Sequence, residues 1–254
     1  DINVDNGTIS VDTANQIDTT TTGTITASID TDETVTELKT LTGTTHAYTI
    51  VIAAGDATSS SAADLNTINE KTTEAINASA ITALTSDTID NIKTLLTAGN
   101  NTEQFTDTSF ASLTGVTVSD ETLDGSKLAD AIDQANSATG DTSVVFTISA
   151  ATTIEGSEAN FTALLTDDGN NQIDIDDQNI SVSGTISVDN ANLLDATTTG
   201  TITASITTTE TVDELQTLTG TGNAYTIVIA AGDATGSTAA EFSAINGKTT
   251  AAIN

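Results

Sequence analysis

The chain contains no cysteine, proline, methionine or tryptophan. Its five basic residues are all lysines, so arginine is missing as well. Without cysteine there is neither a disulfide framework nor a thiolate metal site. With five cations against 36 acids and a formal charge of −31, phosphate-rich partners have little to hold. The same imbalance argues against anionic membrane surfaces. No apolar run approaches the ~18 residues of a membrane span, so insertion into a bilayer is not expected. Histidine occurs once, at His46, which leaves a Ser–His or Cys–His nucleophile without its base. The sequence therefore reads as that of a non-enzyme.

Three things are abundant: acid, threonine (about a fifth of the chain) and small aliphatic residues, which bring the hydrophobic share to 37%. High acidity with few aromatics suits disorder. Here, however, the apolar residues are patterned. The segment "AYTIVIAAGDAT" runs from Ala47 to Thr58 and recurs letter for letter from Ala224 to Thr235. Setting Gly7 on Gly184 aligns 7–77 with 184–254 without a gap, and 18 of 71 positions differ. This is an internal repeat of period 177. It divides the chain into a first copy (1–77), the remainder of the period (78–183) and a second copy (184–254). A period interrupted within its second copy is expected of a window on a longer tandem array, in which text like "ASAITALTSDTIDNIK" follows Asn254.

Two periodicities alternate along the chain. Period two, the mark of a half-buried strand, runs through "GTITASI" with Ile25, Ala27 and Ile29 on one face. It recurs in "AYTIVI" with Tyr48, Ile50 and Ile52, in "VVFTIS" with Val144, Phe146 and Ile148, and in both "GTISV" segments. Strands are expected near Thr8, Thr24, Tyr48, Ile76, Phe105 or Val116, Val145, and Ile173 or Ile180. Helical spacing predicts helices in "DETVTELKTLTG" (Val35, Leu38, Leu41) and "SAADLNTINEKT" (Leu65, Ile68). It does the same in "TSDTIDNIKTLLTAG" (Ile89, Ile92, Leu95, Leu96), with Ser86 or Asp87 as N-cap. Two further helices are expected around Leu128, Ala131, Ile132 and Ala135, and around Phe161, Leu164 and Leu165. Helices this short are marginal alone and need a sheet to bury against. The pattern predicts an α/β fold: a solenoid of strand–short-helix coils with a continuous parallel sheet, about seven coils per period. The alternative is a tandem of small α+β or β-sandwich domains.

The densest acidic cluster is "TDDGNNQIDIDDQN", Thr166 to Asn179. Asp167, Asp168, Asn170, Asp174, Asp176 and Asp177 are hard oxygen ligands around a glycine turn, the donor set that suits calcium. The same residues also suit a solvated acidic turn after a helix. An EF-hand reading fails for lack of the glutamate at the twelfth position. Thr24/Thr26 and Thr201/Thr203 could form an outward hydroxyl ladder, or simply reflect the β-propensity of threonine. Five Asn-x-Ser/Thr sequons, at Asn6, Asn77, Asn100, Asn160 and Asn179, are expected by chance in such a composition.

The segment "GNNQIDI" resembles, with one glycine of the doublet missing, the GGxGxDxUx nonapeptide of secreted calcium-binding repeats. The phrases "GTITASI", "TGTGNAYTIVI" and "AAEFSAINGKTTAAIN" resemble Thr/Asp-rich tandem repeats of giant secreted or cell-surface proteins of bacteria, marine cyanobacteria especially. That resemblance implies an extracellular or cell-surface location. It also implies a structural role as a filament or stalk, whose partners are neighbouring repeats of the same chain or identical chains. The alternative it leaves is an adhesin region that binds a surface, glycan or ice through its sheet face.

Overall fold

The computed structural model covers residues 1–254 and describes every side chain except that of Asn6, where the first sequon lies outside the described side chains. The chain is α/β, and all its paired strands run parallel. It divides into two compact units, one of 1–119 with 130–149 and the other of 120–129 with 150–254.

The first unit opens with β1 (Ile2–Ile9), α1 (Val11–Asp18), β2 (Ile25–Ile29), α2 (Val35–Leu38) and β3 (Ala47–Thr49). A 3-10 turn, Ala54–Asp56, then leads to α3 (Ala62–Asn69), and β4 (Ala83–Asp87), α4 (Ile89–Gly99) and β5 (Gly115–Val118) follow. The next strand, β6 (Thr122–Asp124), belongs to the second unit, as do the first residues of α5 (Gly125–Thr139). The first unit closes with β7 (Val145–Ile148). The rest of the second unit runs β8 (Thr153–Ser157), α6 (Glu158–Gly169), β9 (Asn179–Ile186), α7 (Val188–Thr197), β10 (Ile202–Ile206), α8 (Val212–Gln216), β11 (Ala224–Thr226), α9 (Ala231–Ala234) and α10 (Ala239–Asn246).

Strand pairing is distributed over three sheets rather than one: β1-β2-β3 and β4-β5-β7 in the first unit, and β11-β10-β9-β8-β6 in the second. Near Ile76, where a strand was expected, pairing shrinks to single parallel bridges, Val51 with Asn77 and Ile76 with Phe105. Between the starts of β1 and β9 there are six helices, α1 to α6, so one period has six strand–helix coils where about seven were expected.

The core follows the two periodicities. In β2 the residues Ile25, Ala27 and Ile29 are buried while Thr26 is exposed. Tyr48, Ile50 and Ile52 are buried, as are the stripes of α4 (Ile89, Ile92, Leu95, Leu96) and α5 (Leu128, Ala131, Ile132, Ala135). Each of these Ile and Leu side chains removed from water contributes on the order of 1.5–3 kcal/mol before chain entropy is subtracted. Phe161 and Leu164 are buried in α6, whereas Leu165 is only half-buried.

The repeat is a structural equivalence as well. It extends upstream of Gly7, because Asp1 Oδ1 accepts the Thr24 N–H at 2.9 Å just as Asn179 Oδ1 accepts the Thr201 N–H at 2.8 Å. Ile2 and Ile180 then occupy the same register position, opposite Ile25 and Ile202. The bulge that follows is one residue longer in β1 than in β9, which explains why a gapless alignment begins only at Gly7. Gly23 and its counterpart Gly200 sit against the neighbouring strand. A Cβ there would lie 2.4 Å from the Asp1 nitrogen or 2.2 Å from the Gln178 carbonyl oxygen, so only glycine admits this approach.

Candidate metal centre

The acidic turn lies in the second unit, after α6. That helix starts at a capping box, in which Ser157 Oγ accepts the Asn160 N–H and Asn160 Oδ1 accepts the Ser157 N–H. Its C-terminal end is closed by Asn170, whose N–H reaches the Thr166 carbonyl at 3.0 Å. Asn171 then takes a left-handed conformation with φ 58°, one that asparagine tolerates better than most residues. Buried Gln172, Ile173 and Ile175 pin the loop to the core, so the residues between and after them face outward. Alternation thus exposes Asp174 and Asp176 on the same side of the turn.

Carboxylate oxygens of Asp168, Asp174 and Asp176 all lie within 4.8 Å of one another. Oxygens bound to one calcium ion at about 2.4 Å are separated by no more than about 4.8 Å, a limit that the triad meets. Each oxygen set is also partly committed to the loop. Asp168 Oδ1 accepts the Ile175 N–H at 3.3 Å, and Asp174 Oδ1 accepts the Asp176 N–H at 3.0 Å. The negative charge of Asp174 pushes the Asp176 carboxyl above its usual range, with smaller contributions from burial, Asp168 and Asp177. A divalent cation would reverse that repulsion.

The other three residues of the expected ligand set are placed differently. Asp177 Oδ1 accepts the Thr199 hydroxyl at 3.2 Å. Asp167 is half-buried on α6, and its carbonyl accepts the Gln172 N–H at 2.9 Å. Asn170 is the helix C-cap just described. Spacing in the sequence could not separate these roles, because six donors within eleven residues surround one turn in any conformation.

His46 has a structural position. Its Nδ1 accepts the Ile25 N–H at 3.1 Å, so the ring proton sits on Nε2, which donates to Asp18 Oδ1 at 2.7 Å. Asn223 repeats the arrangement in the second copy. Its Oδ1 accepts the Ile202 N–H at 2.9 Å and its Nδ2 donates to Asp195 Oδ1 at 2.7 Å. Histidine and asparagine are interchangeable here because each offers one acceptor and one donor at the required spacing. Gly43 and Gly220, both at positive φ, bring the preceding turn against these side chains. On the Asp18 carboxyl, hydrogen bonds from Thr42 and His46 outweigh burial and hold it below its usual range.

The most regular feature was not anticipated from the sequence. At four helices, a free N–H of the first turn is taken by a carboxylate from the following coil. Val11 N–H donates to Glu33 at 2.8 Å, Val35 to Asp56 at 3.1 Å, Ala63 to Asp87 at 2.6 Å, and Val188 to Glu210 at 3.0 Å. The partners stand 21 to 24 residues apart, one coil. An acid just before the next helix cap was the available signal: Glu33 precedes Thr34, Asp87 precedes Thr88 and Glu210 precedes Thr211. Glu158 reaches forward instead, accepting from the Ser187 N–H, the Ser187 hydroxyl and Asn190 Nδ2 at the start of α7. Burial raises its carboxyl, but these hydrogen bonds win and leave it below the usual range.

Among the described residues no helix is long and apolar enough to cross a membrane. Comparison with protein-family models, with curated proteins and with solved structures found no match to this chain.

Proposed function

We propose that the chain is a structural repeat segment of a long extracellular or cell-surface filament or stalk. In this reading its strand–helix coils stack as a solenoid that serves as a stiff spacer, and its partners are neighbouring repeats of the same chain or identical chains. The observation that carries the reading is the relay of carboxylates between coils. The starts of α1, α2 and α3 in the first copy, and of α7 in the second, are each completed by a carboxylate of the next coil. Such a relay supplies charge-assisted hydrogen bonds and favourable helix-dipole interactions at each of these four steps. It gives the excess of acid a mechanical purpose. A second support is that consecutive strands β1-β2-β3 and β8-β9-β10-β11 pair in parallel in chain order, with a helix at each crossover. The single histidine supports the reading too, since both its ring nitrogens are engaged and asparagine replaces it in the second copy. The acidic turn after α6 fits the same role as a calcium-binding staple within a coil.

The hydroxyl ladder that a binding face would use is short: Ser28 lies in register between Thr8 and Thr49, and Ser205 between Thr185 and Thr226, but the row breaks at the neighbouring position. Thr26 is flanked in register by Asn3 and Ala47, and Thr203 by Ser181 and Ala224. The test is the repeat distance of an array of several periods seen by electron microscopy or fibre diffraction. Six coils at ~4.8 Å should advance about 29 Å per period, with a 4.8 Å reflection along the fibre. Compact beads of this size would instead repeat at roughly 40–50 Å and bend at their junctions, which would overturn the spacer reading.

A further inference from the structure

The two copies of the repeat differ at one side. In the first, the coil of β3 and α3 is covered by the coil of β4 and α4, and Ile52, Ala62, Leu65 and Ile76 are at most 1% exposed. In the second, the equivalent Ile229, Phe242 and Ile253 are half-buried and Ala239 is exposed. The helix itself is equally well seated in both, since Ile68 and Ile245 are each fully buried. What differs is only the outer side.

The first copy also shows what chemistry closes that side. The Thr82 and Ala83 N–H groups donate to the Ala57 carbonyl at 2.9 and 3.1 Å, and the Thr85 N–H to the Ser60 carbonyl at 3.0 Å. Asp87 Oδ2 takes the Ala63 N–H, and Asn69 Nδ2 donates to Gln104 Oε1 at 3.0 Å. Ile76 exchanges backbone bonds with Gln104 and Thr106. On the second copy the receiving groups are the same residues: Ala234, Ser237, Ala240, Asn246 and Ile253. Eight positions of 57–77 change in the second copy, among them Leu65 to Phe242, Asn66 to Ser243 and Thr67 to Ala244, so the second surface is more apolar and lacks the Asn66 bond to the Asn91 carbonyl.

We propose that the outer side of α10, with Ile229 and Ile253, is a docking surface for one further strand–helix coil built like residues 78–106 of this chain. The partner donates N–H groups to the Ala234 and Ser237 carbonyls, beyond the chain's own 249–254, which already lines the edge of Ala224–Thr226. It carries a carboxylate at the end of its strand that takes the Ala240 N–H. The Ile/Leu stripe of its helix covers Ala239 and Phe242. This inference rests on the stacked-coil reading above.

The test extends the chain past Asn254 with a copy of its own residues 78–119 and follows the reactivity of a thiol introduced as Ala239→Cys. The chain has no cysteine of its own, so this label reports one site. The unextended chain should label freely, and the extension should slow labelling by at least ~10-fold, as expected when reaction requires local opening. A scrambled extension, or one whose copy of Asp87 is replaced by alanine, should protect far less. Hydrogen exchange at the Ala240 amide in the same extended chain reads the docking without any substitution in the receiving face. Ala62→Cys in the first copy separates the two readings. If Ala62→Cys is protected but Ala239→Cys stays reactive in the extended chain, the docking surface is refuted while the stacked coils stand. If Ala62→Cys is itself reactive, the stacked-coil reading fails. Protection of Ala239→Cys that grows with concentration in the unextended chain would assign the face to a second copy and overturn the proposal.

Discussion

At the scale of single residues, the two copies act as a built-in substitution experiment. Tyr48 and Tyr225 are both buried, but Tyr225 Oη accepts from Asn223 Nδ2 at 3.1 Å, whereas Tyr48 Oη has no partner among the described residues. Burial, followed by the charge of Asp18, pushes the Tyr48 phenol up to about 12. His46→Asn should therefore give Tyr48 a donor and leave the protein at least as stable. A gain of up to about 1 kcal/mol is the size of one recovered hydrogen bond. A clear fall in the urea midpoint would show that the His46 ring contributes packing that asparagine does not, since its centroid lies 5.3 Å from that of Tyr48. At the acidic turn, Ca²⁺ should stabilise the fold by mass action, by about 2.7 kcal/mol at a hundredfold excess over Kd, seen as a rise in Tm. Changing both Asp174 and Asp176 to Asn should abolish the gain. Equal Tm in chelator and in millimolar calcium would leave a solvated turn. The pH sign follows from the raised Asp176 carboxyl. A folded pKa above the unfolded one means that its ionised form is penalised in the fold, and the penalty disappears as pH falls through the folded pKa. The sequence revealed which turn collects the acids. Which three of the six converge depended on the left-handed Asn171 and the buried Ile173 and Ile175, which composition cannot encode.

At the scale of elements, helix starts dominate. Thr34, Thr211 and Thr238 each form a capping box with a glutamate three residues on, and the N-cap backbone N–H holds Glu37, Glu214 and Glu241 below their usual carboxyl range. Depressed folded values mean that this stability is complete above the unfolded carboxyl pKa, 4.5, and is lost as pH falls through the folded values. Acid unfolding should accordingly steepen below that point. Thr211→Ala should cost about 1 kcal/mol in denaturant unfolding, the usual worth of an N-cap. Asp87 matters more, because it is 8% exposed and its two oxygens serve Ala63, Thr88 and Asn91. Asp87→Ala should cost about 1–3 kcal/mol, as expected when buried donors lose their partner. A value near zero would sink the claim that carboxylates join the coils. Long stripes were legible: α4 and α5 fall where their Ile and Leu spacing put them. Yet the N-cap of α4 is Thr88 rather than Ser86 or Asp87, since the strand β4 occupies those positions. The helices α1 and α7 were hidden behind the strand reading of "GTISV", whose last valine is in fact the first residue of each helix. The strands β6 and β8 are short and polar outside Leu123 and Ile154, so alternation had too few letters to register.

At the scale of the whole chain, charge is the first consequence. With 36 acids against five lysines, the fold carries a standing self-repulsion. Monovalent salt should raise Tm in the native chain and in the Asp174/Asp176 double variant alike, because screening does not depend on the turn. A salt response confined to the native turn would contradict this. The repeat made the period legible from the sequence, while the coil count within it was not, because the weakly paired stretches around Ile76 and Phe105 belong to coils whose main strands lie further along the chain. The carboxylate relay has a further consequence in time. Val11 waits for Glu33, Val35 for Asp56 and Ala63 for Asp87, so in each of these steps the completing group lies downstream. A chain delivered N-terminus first, from a ribosome or through a secretion pore, cannot finish a coil until the next has emerged. Over 1–87 its folding front should trail the point of emergence by one coil, with the youngest coil the loosest.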